Sequence, residues 1–310
     1  MSKILVDQIR SNSASSDAIT LDGSGNVTVP GNITLSGNAT LSGTATGFPQ
    51  GKGRNLVING AMQVAQRGTS STSSGYKTVD RFQTAFDSGL TEGPTLSQAT
   101  LSSSDTPYTL GFRHAFRVTN GNQTSQDAND YMHITHSIEA QDMAESGWNY
   151  TSASSYITLS FWVKASTAQT MYVKVGASDA SRTFTFAFSA TTSWTKITKT
   201  IPGNSNLVFN NDVGVGLILA WVPYYGTSYT TSSHTTDSWE TNDGSSQVPD
   251  MANTWFSAND ATFDITGVKL EVGDSATDFE HRSFGQELAL CQRYCCKWWN
   301  NGGTTANHSR

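Results

Sequence analysis

Charge is scarce in this sequence. Asp, Glu, Lys and Arg make up 14% of its residues, against roughly 25% in average globular proteins. Ser, Thr, Asn and Gly stand in their place, so solubility rests on hydroxyls and amides, as suits a β-rich protein working outside cells. The formal charge of −6 is mild. No Lys/Arg cluster could track a phosphate backbone, so no nucleic-acid partner is expected. Long apolar runs are missing too. No window approaches the roughly 20 apolar residues of a membrane span, and Met1–Arg10 lacks the apolar core and cleavage site of an export signal. Neither membrane insertion nor export by a leader is expected. Cysteine is confined to Cys291, Cys295 and Cys296. An odd number crowded into one stretch is no disulfide framework, and neighbours on one helix are badly placed to pair. Reduced thiols at a helix interface are the expectation, and zinc is disfavoured because His308 is the only histidine nearby. Catalytic signatures are also lacking: there is no Gly-x-Ser-x-Gly, phosphate-binding Gly-rich loop or His-Glu-x-x-His. The expectation is a protein that is not an enzyme and needs no cofactor.

Aromatic residues are absent from residues 10–47, and what occupies that stretch is a short repeat. After Ile19-Thr-Leu21 and Val27-Thr-Val29 come Gly31-Asn-Ile-Thr-Leu-Ser36, Gly37-Asn-Ala-Thr-Leu-Ser42 and Gly43-Thr-Ala-Thr-Gly47. Such a period signals a repeat architecture. One copy cannot bury enough apolar area to offset its ordering entropy. Three copies around one axis could, with Val27, Val29, Ile33, Leu35 and Leu41 in a shared core. Composition alone also permits a disordered linker, but the strictness of the hexad favours an intertwined trimeric shaft. Asn26, Asn32 and Asn38 open Asn-x-Thr patterns that fall at the repeat period, so they read as turn Asn and strand Thr rather than glycan acceptors. Ile4, Val6 and Ile9 suggest a short strand or anchoring peptide before the repeat. Phe48-Pro-Gln-Gly-Lys-Gly53 breaks regular structure and marks a joint.

From Asn55 onward strand signals recur, near 55–64, 80–86, 109–118, 130–138, 156–164, 170–176, 182–189, 194–201, 213–222 and 261–272. Ile157, Leu159, Phe161 and Val163 share one face, as do Phe184, Phe186 and Phe188. The 213–222 strand is apolar on both faces and should be central. Ile138–Ser146 suits one helical turn. About ten short strands with polar turns between them predict an all-β fold, an antiparallel, jelly-roll-like β-sandwich. Three regions follow: an anchor and shaft at 1–50, a sandwich head at 51–282, and a C-terminal helix and flexible tail at 283–310.

The most informative stretch is Asp264-Ile-Thr-Gly-Val-Lys-Leu-Glu-Val-Gly-Asp274 and its continuation to Tyr294. It reads as a strand with a bulge at Gly267, a polar turn, an extended crossing and a helix from Phe284. Ser283 and Gln286 have capping-box spacing. Phe284, Leu288, Cys291, Cys295 and Trp298 lie at heptad spacing, which suits either a threefold axis or packing on the sandwich. This stretch resembles the closing segment of a carbohydrate-binding-module-like domain of bacteriophage tail fibres and related virion proteins. Asn55–Gly68 with Asp80-Arg81-Phe82 resembles the same family, as does Tyr156–Lys164 with Trp194 and Ile201-Pro-Gly203; together they span roughly Asn55 to Tyr294. The resemblance implies a homotrimeric virion appendage, made in the host cytoplasm and released by lysis. It would be joined to other virion tail or vertex proteins through its N-terminal segment and directed at a host-surface glycan. A structural adaptor without its own receptor is the alternative, and a polysaccharide depolymerase a remote one.

The resemblance assigns no sugar-contacting residue. The residues themselves point to the long segment between the 213–222 and 261–272 strands, since loops of that length in compact domains are usually functional or disordered. Tyr224, Tyr225, Tyr229, Trp239 and Trp255 are interleaved there with Ser, Thr, Asn and Asp, the mixture that sugar rings and hydroxyls call for. The same rings would serve equally as plugs for the sandwich edge. Glu240 and Asp243 are the one carboxylate pair worth naming for hydrolysis, though turn acids are far commoner than catalytic ones. His133 and His136, three apart in a strand, face opposite sides and disfavour a metal site; solvent-facing His133 and partly buried His136 are expected. Asn120–Asp130 has oxygens enough for calcium but lacks a calcium loop's spacing. No metal is expected.

Overall fold

The computed structural model describes residues 54–296, together with Gln8–Ile9, Ile19–Leu21 and Val27–Thr28. The chain divides into two compact units, Met1–Phe48 and Pro49–Arg310. In the first, β1 (Gln8–Ile9), β2 (Ile19–Leu21) and β3 (Val27–Thr28) form an antiparallel sheet in the order β1-β2-β3. Val27 is 59% exposed in the single chain. The other expected shaft positions, Val29, Ile33, Leu35 and Leu41, lie outside the described residues, as do the hexads themselves.

The second unit is an antiparallel β-sandwich. Its strands are β4 (Ser70–Ser71), β5 (Phe82–Phe86), β6 (Thr95–Thr100), β7 (His114–Thr119), β8 (Tyr131–Glu139), β9 (Tyr156–Ala165), β10 (Gln169–Ala177), β11 (Arg182–Ala190), β12 (Thr195–Pro202), β13 (Val215–Tyr225), β14 (Trp239–Thr241) and β15 (Thr262–Val272). One six-stranded sheet runs β14-β11-β10-β13-β8-β5 and the other β12-β9-β15-β7-β6-β4. Alternation puts Ile157, Leu159, Phe161 and Val163 of β9 against Phe184, Phe186 and Phe188 of β11 in one core, with Phe161 and Phe188 meeting edge to face at 5.5 Å. β13 is central, as its two-sided apolar character requires.

Three local expectations change. Residues 55–64 form no strand. Asn59 and Met62 take left-handed φ values of 62° and 57°, and the segment lies as a turn on β15. Gly60 is pressed so close that a Cβ there would meet the Val268 carbonyl oxygen at 2.0 Å, and the Val268 amide donates to the Gly60 carbonyl at 2.9 Å. The strand expected from 109 begins only at His114, because Pro107 opens a short helix, α1 (Thr106–Thr109). β4 and β6 carried too little apolar signal to be expected.

The helical turn at 138–146 is α2 (Ala140–Ala144). The bulge in β15 is present: Gly267 has φ 62°, and the register against β9 shifts between Thr266 and Lys269. α3 (Phe284–Gln292) starts where expected, with Ser283 and Gln286 forming the reciprocal capping box. It packs on its own sandwich. Glu287 and Cys291 are buried, the Glu287 carboxylate accepts from the Asn59 amide, and Gln66 donates to the Cys295 carbonyl at 2.8 Å. Of the heptad positions, Phe284 is 57% exposed and Trp298 lies outside the described residues. Two elements far apart in sequence are thereby clasped. The Asn55 side chain donates to the Val268 carbonyl at 3.0 Å and accepts from the Leu270 amide at 3.0 Å, while Arg282 donates to the Asn55 carbonyl at 2.8 Å.

Candidate functional site

The outward face of β8, β10, β11 and β13 carries a groove of about 400 Å³. Strand pairing builds its floor. Lys174 lies opposite Ala220, Gly176 opposite Ile218, and Ala220 in turn opposite Thr135, so small side chains from three strands meet on one surface. Gly176 keeps that floor open. A Cβ added there would meet only the Ile218 Cβ, at 3.9 Å.

One wall of the groove is the segment expected to be a binding loop. After β13 the chain folds back over the same face, where Tyr172, Val222, Tyr225 and Val248 form a small apolar cluster with Tyr131, Tyr229 and Met251 against it. The Gln247 amide donates to the Tyr229 carbonyl at 2.8 Å, and Thr185 donates to the Gln247 carbonyl at 3.3 Å. Lys174 donates to the Gln247 side-chain oxygen. Asn242, from beyond β14, and Gln247 both line the groove.

The five aromatic residues are therefore placed otherwise than as an open platform. Trp255 is wholly buried, and its indole N–H donates to the Thr262 carbonyl at 3.0 Å. Tyr224, 7% exposed, stacks on Phe256 at 4.0 Å. Trp239, 8% exposed, packs beside Phe184 and donates to the Pro202 carbonyl at 2.7 Å. Tyr229 is half-buried between Tyr131 and Tyr225. Only Tyr225 of the five reaches the groove, at its edge and 4% exposed. Burial of large apolar rings, worth roughly 1.5–3 kcal/mol for a Phe-sized side chain, is what fastens this segment down. Glu240 and Asp243 are exposed and do not line the groove; each accepts from a neighbouring serine.

His133 and His136 face opposite sides of β8, as their spacing requires. His136 points into the core, fully buried, with Nε2 at 3.1 Å from the Ile58 carbonyl. His133 is not solvent-facing. It is half-buried at the groove, stacked on Tyr131, with Nδ1 at 2.9 Å from the Tyr225 hydroxyl. Burial, then the charge of Lys174, pushes His133 down to about 4, so at neutral pH it is uncharged. Burial raises the Tyr225 phenol, which therefore keeps its proton at neutral pH. Burial likewise pushes Lys174 down to about 8.

No protein-family model matches this chain, and no curated protein matches it. Among solved structures it is similar to the enzymatically active domain of bacteriophage CBA120 tailspike protein 4, at 9% identity over 71% of this chain and a TM-score of 0.35; the aligned part is only 21% of that chain. It is also similar to the N-terminal cellulose-binding domain of a Cellulomonas fimi β-1,4-glucanase C, at 11% identity, 69% and 99% coverage and a TM-score of 0.33. A family 11 carbohydrate-binding module from Clostridium thermocellum, solved with a mixed-linked tetrasaccharide, gives 10%, 66% and 95%, and 0.30. Values this low carry no argument about fold, ligand or residue role; the sandwich rests on the strand pairing above.

The groove was hard to find from sequence. Thr135, Lys174, Gly176, Arg182 and Ile218 carry no motif, and only the register of four strands brings them together. In composition it offers hydroxyls (Thr135, Ser178, Ser181), amides (Asn242, Gln247), two cations (Lys174, Arg182) and an apolar floor. That set suits a polyhydroxylated ligand with C–H patches.

Proposed function

We propose that this chain is a phage tail-fibre or similar virion appendage protein that acts as a homotrimer and binds host-surface glycan without chemistry. The observation that supports the glycan reading is the groove: an open floor of small side chains, framed by hydroxyl and amide groups and walled by a fastened loop. The virion and trimer readings rest on the hexad repeat and on the sequence resemblance around Asn55, Tyr156 and Asp264.

A second reading has its own support. Burial of Tyr224, Trp239 and Trp255 removes the aromatic platform on which a sugar would stack, and that favours an adaptor fibre without a receptor. Gly176→Leu separates the two. It fills the groove where the backbone has room, so the thermal midpoint should hold. Applied to an array of bacterial surface polysaccharides, the full chain should be retained and the variant should not. Equal retention of both, or no retention of either, would favour the adaptor.

A further inference from the structure

We infer that the opposite sheet carries a second sugar site, a cleft of about 310 Å³ on the outward face of β9, β12 and β15 that takes an uncharged sugar ring. It is separate from the groove and does not rest on it.

Strand register puts the lining on one face. Ile157, Leu159, Phe161 and Val163 of β9 point into the core, so Ser160 and Trp162 between them point outward. Lys196 of β12 stands directly opposite Trp162, about 5 Å away at Cβ. The bulge of β15 crosses the floor. A Cβ on Gly267 would meet Phe112 Cζ at 2.8 Å and Trp162 Cδ1 at 3.1 Å, so glycine lets those two rings converge there. From the crossing after β15, Phe279 meets Phe112 edge to face at 4.9 Å, and His281 lies 4.8 Å from the same ring. That crossing is fixed from beneath. Buried Lys269 donates to the Asp278 carbonyl at 2.7 Å, and buried Glu271 accepts from the Thr277 amide at 2.8 Å. A buried ion pair adds little stability by itself; this one holds the wall of Thr277, Asp278 and Phe279 against the sheet.

Polar groups without partners stand beside these half-buried rings. Ser160 is 3% exposed, yet its hydroxyl makes no hydrogen bond among the described residues and is not sealed from solvent. The Trp162 indole N–H is in the same state. By contrast, Trp148, Trp194, Trp239 and Trp255 each donate to an oxygen, and the Trp221 N–H is enclosed in the core. The pyrrole edge of Trp162 faces Gly267, which puts its N–H on the floor side of the cleft. At the mouth, the side chains of Lys196 and Asp278 are exposed and make no hydrogen bond or ion pair among the described residues. A sugar ring offers C–H patches to the aromatic walls and hydroxyls to these four groups. An apolar chain would cover the hydroxyl and the indole N–H without bonding them, at a desolvation cost. One cation and one carboxylate leave no net charge to select an ionised sugar, so the uncharged ring is the fit.

The test is calorimetric titration of the full chain with maltotriose, cellotriose, galactotriose and chitotriose. At least one should bind, and Trp162→Ala should weaken it roughly tenfold, through loss of the ring and its N–H together. Ser160→Ala should weaken it several-fold. Gly176→Leu, which fills the groove on the other sheet, should bind as the unaltered chain does. The inference is overturned if none of these sugars binds, or if Trp162→Ala and Ser160→Ala bind as tightly as the unaltered chain. Binding lost in Gly176→Leu and kept in both cleft variants also overturns it, and leaves the groove as the glycan site. Should Trp162→Ala melt early, Trp162→Phe, which keeps a ring and removes the N–H, and Lys196→Ala, at an exposed position, decide. Weaker binding at an unchanged thermal midpoint supports the cleft, and unchanged binding overturns it.

Discussion

At the scale of single residues, buried polar groups set the conditions under which the head holds together. His133 is held down to about 4, by burial first and Lys174 second, and His136 to about 3, by burial first and Arg81 second. Both values lie below the ordinary 6.5, so the folded protein binds fewer protons than the unfolded chain between those limits. Stability is full above about 6.5 and falls as pH drops toward 4, with a limiting slope of about 1.4 kcal/mol per pH unit for each histidine. Glu139, pulled to about 2 chiefly by its hydrogen bond from Arg293, adds to the loss only below its ordinary 4.5. The window from 6.5 to 4.5 is therefore where histidine acts. Thermal midpoints measured across it should decline, and His133→Gln should flatten part of the decline. A level profile would refute neutral burial of these rings. The sequence showed that the two histidines face opposite ways. It did not show that both are withdrawn from water, because the cover over His133 comes from Tyr225 and Tyr229, about a hundred residues on.

At the scale of elements, legibility follows the strength of the apolar alternation. β9 and β11 were readable to within a residue or two because large side chains repeat every second position. β6 has one strong apolar residue, Leu96, too little to signal a strand. Residues 55–64 failed in the opposite direction: their apolar content signalled a strand, but left-handed Asn59 and Met62 turn the backbone away from a ladder. Capping chemistry is more local and so more readable. Ser283 accepts from the Gln286 amide and Gln286 returns the contact to the Ser283 amide at 3.0 Å. Ser283→Ala should cost about 1 kcal/mol, seen as a lower denaturation midpoint with unchanged slope; no shift would place the helix start elsewhere. The aromatic content of the covering segment points two ways. Aromatic residues in a polar loop signal either a sugar platform or a hydrophobic anchor, and composition does not distinguish them. Here the anchor prevails, and the polar residues between the rings supply the groove wall.

At the scale of the whole molecule, the trimer expected from the hexads is open to direct measurement. Light scattering on residues 1–310 should give about three times the chain mass, and replacing Ile33 and Leu35 with Ser should weaken assembly by removing apolar burial worth about 1.5–3 kcal/mol per side chain. A monodisperse monomer would remove the shaft reading. In a trimer, three weak groove contacts would act together through effective concentration, so adsorption to cells should exceed what single-head titration suggests.

The clasp at Asn55 also determines where mechanical load enters the head. Leu56 donates to the Leu270 carbonyl at 2.9 Å, and the Asn55 side chain bridges Val268 and Leu270. Tension reaching residue 55 along the backbone is thus handed directly to β15. That strand is interior to its sheet, with β9 on one side and β7 on the other. A pull is shared by two hydrogen-bonded ladders in place of peeling an edge strand.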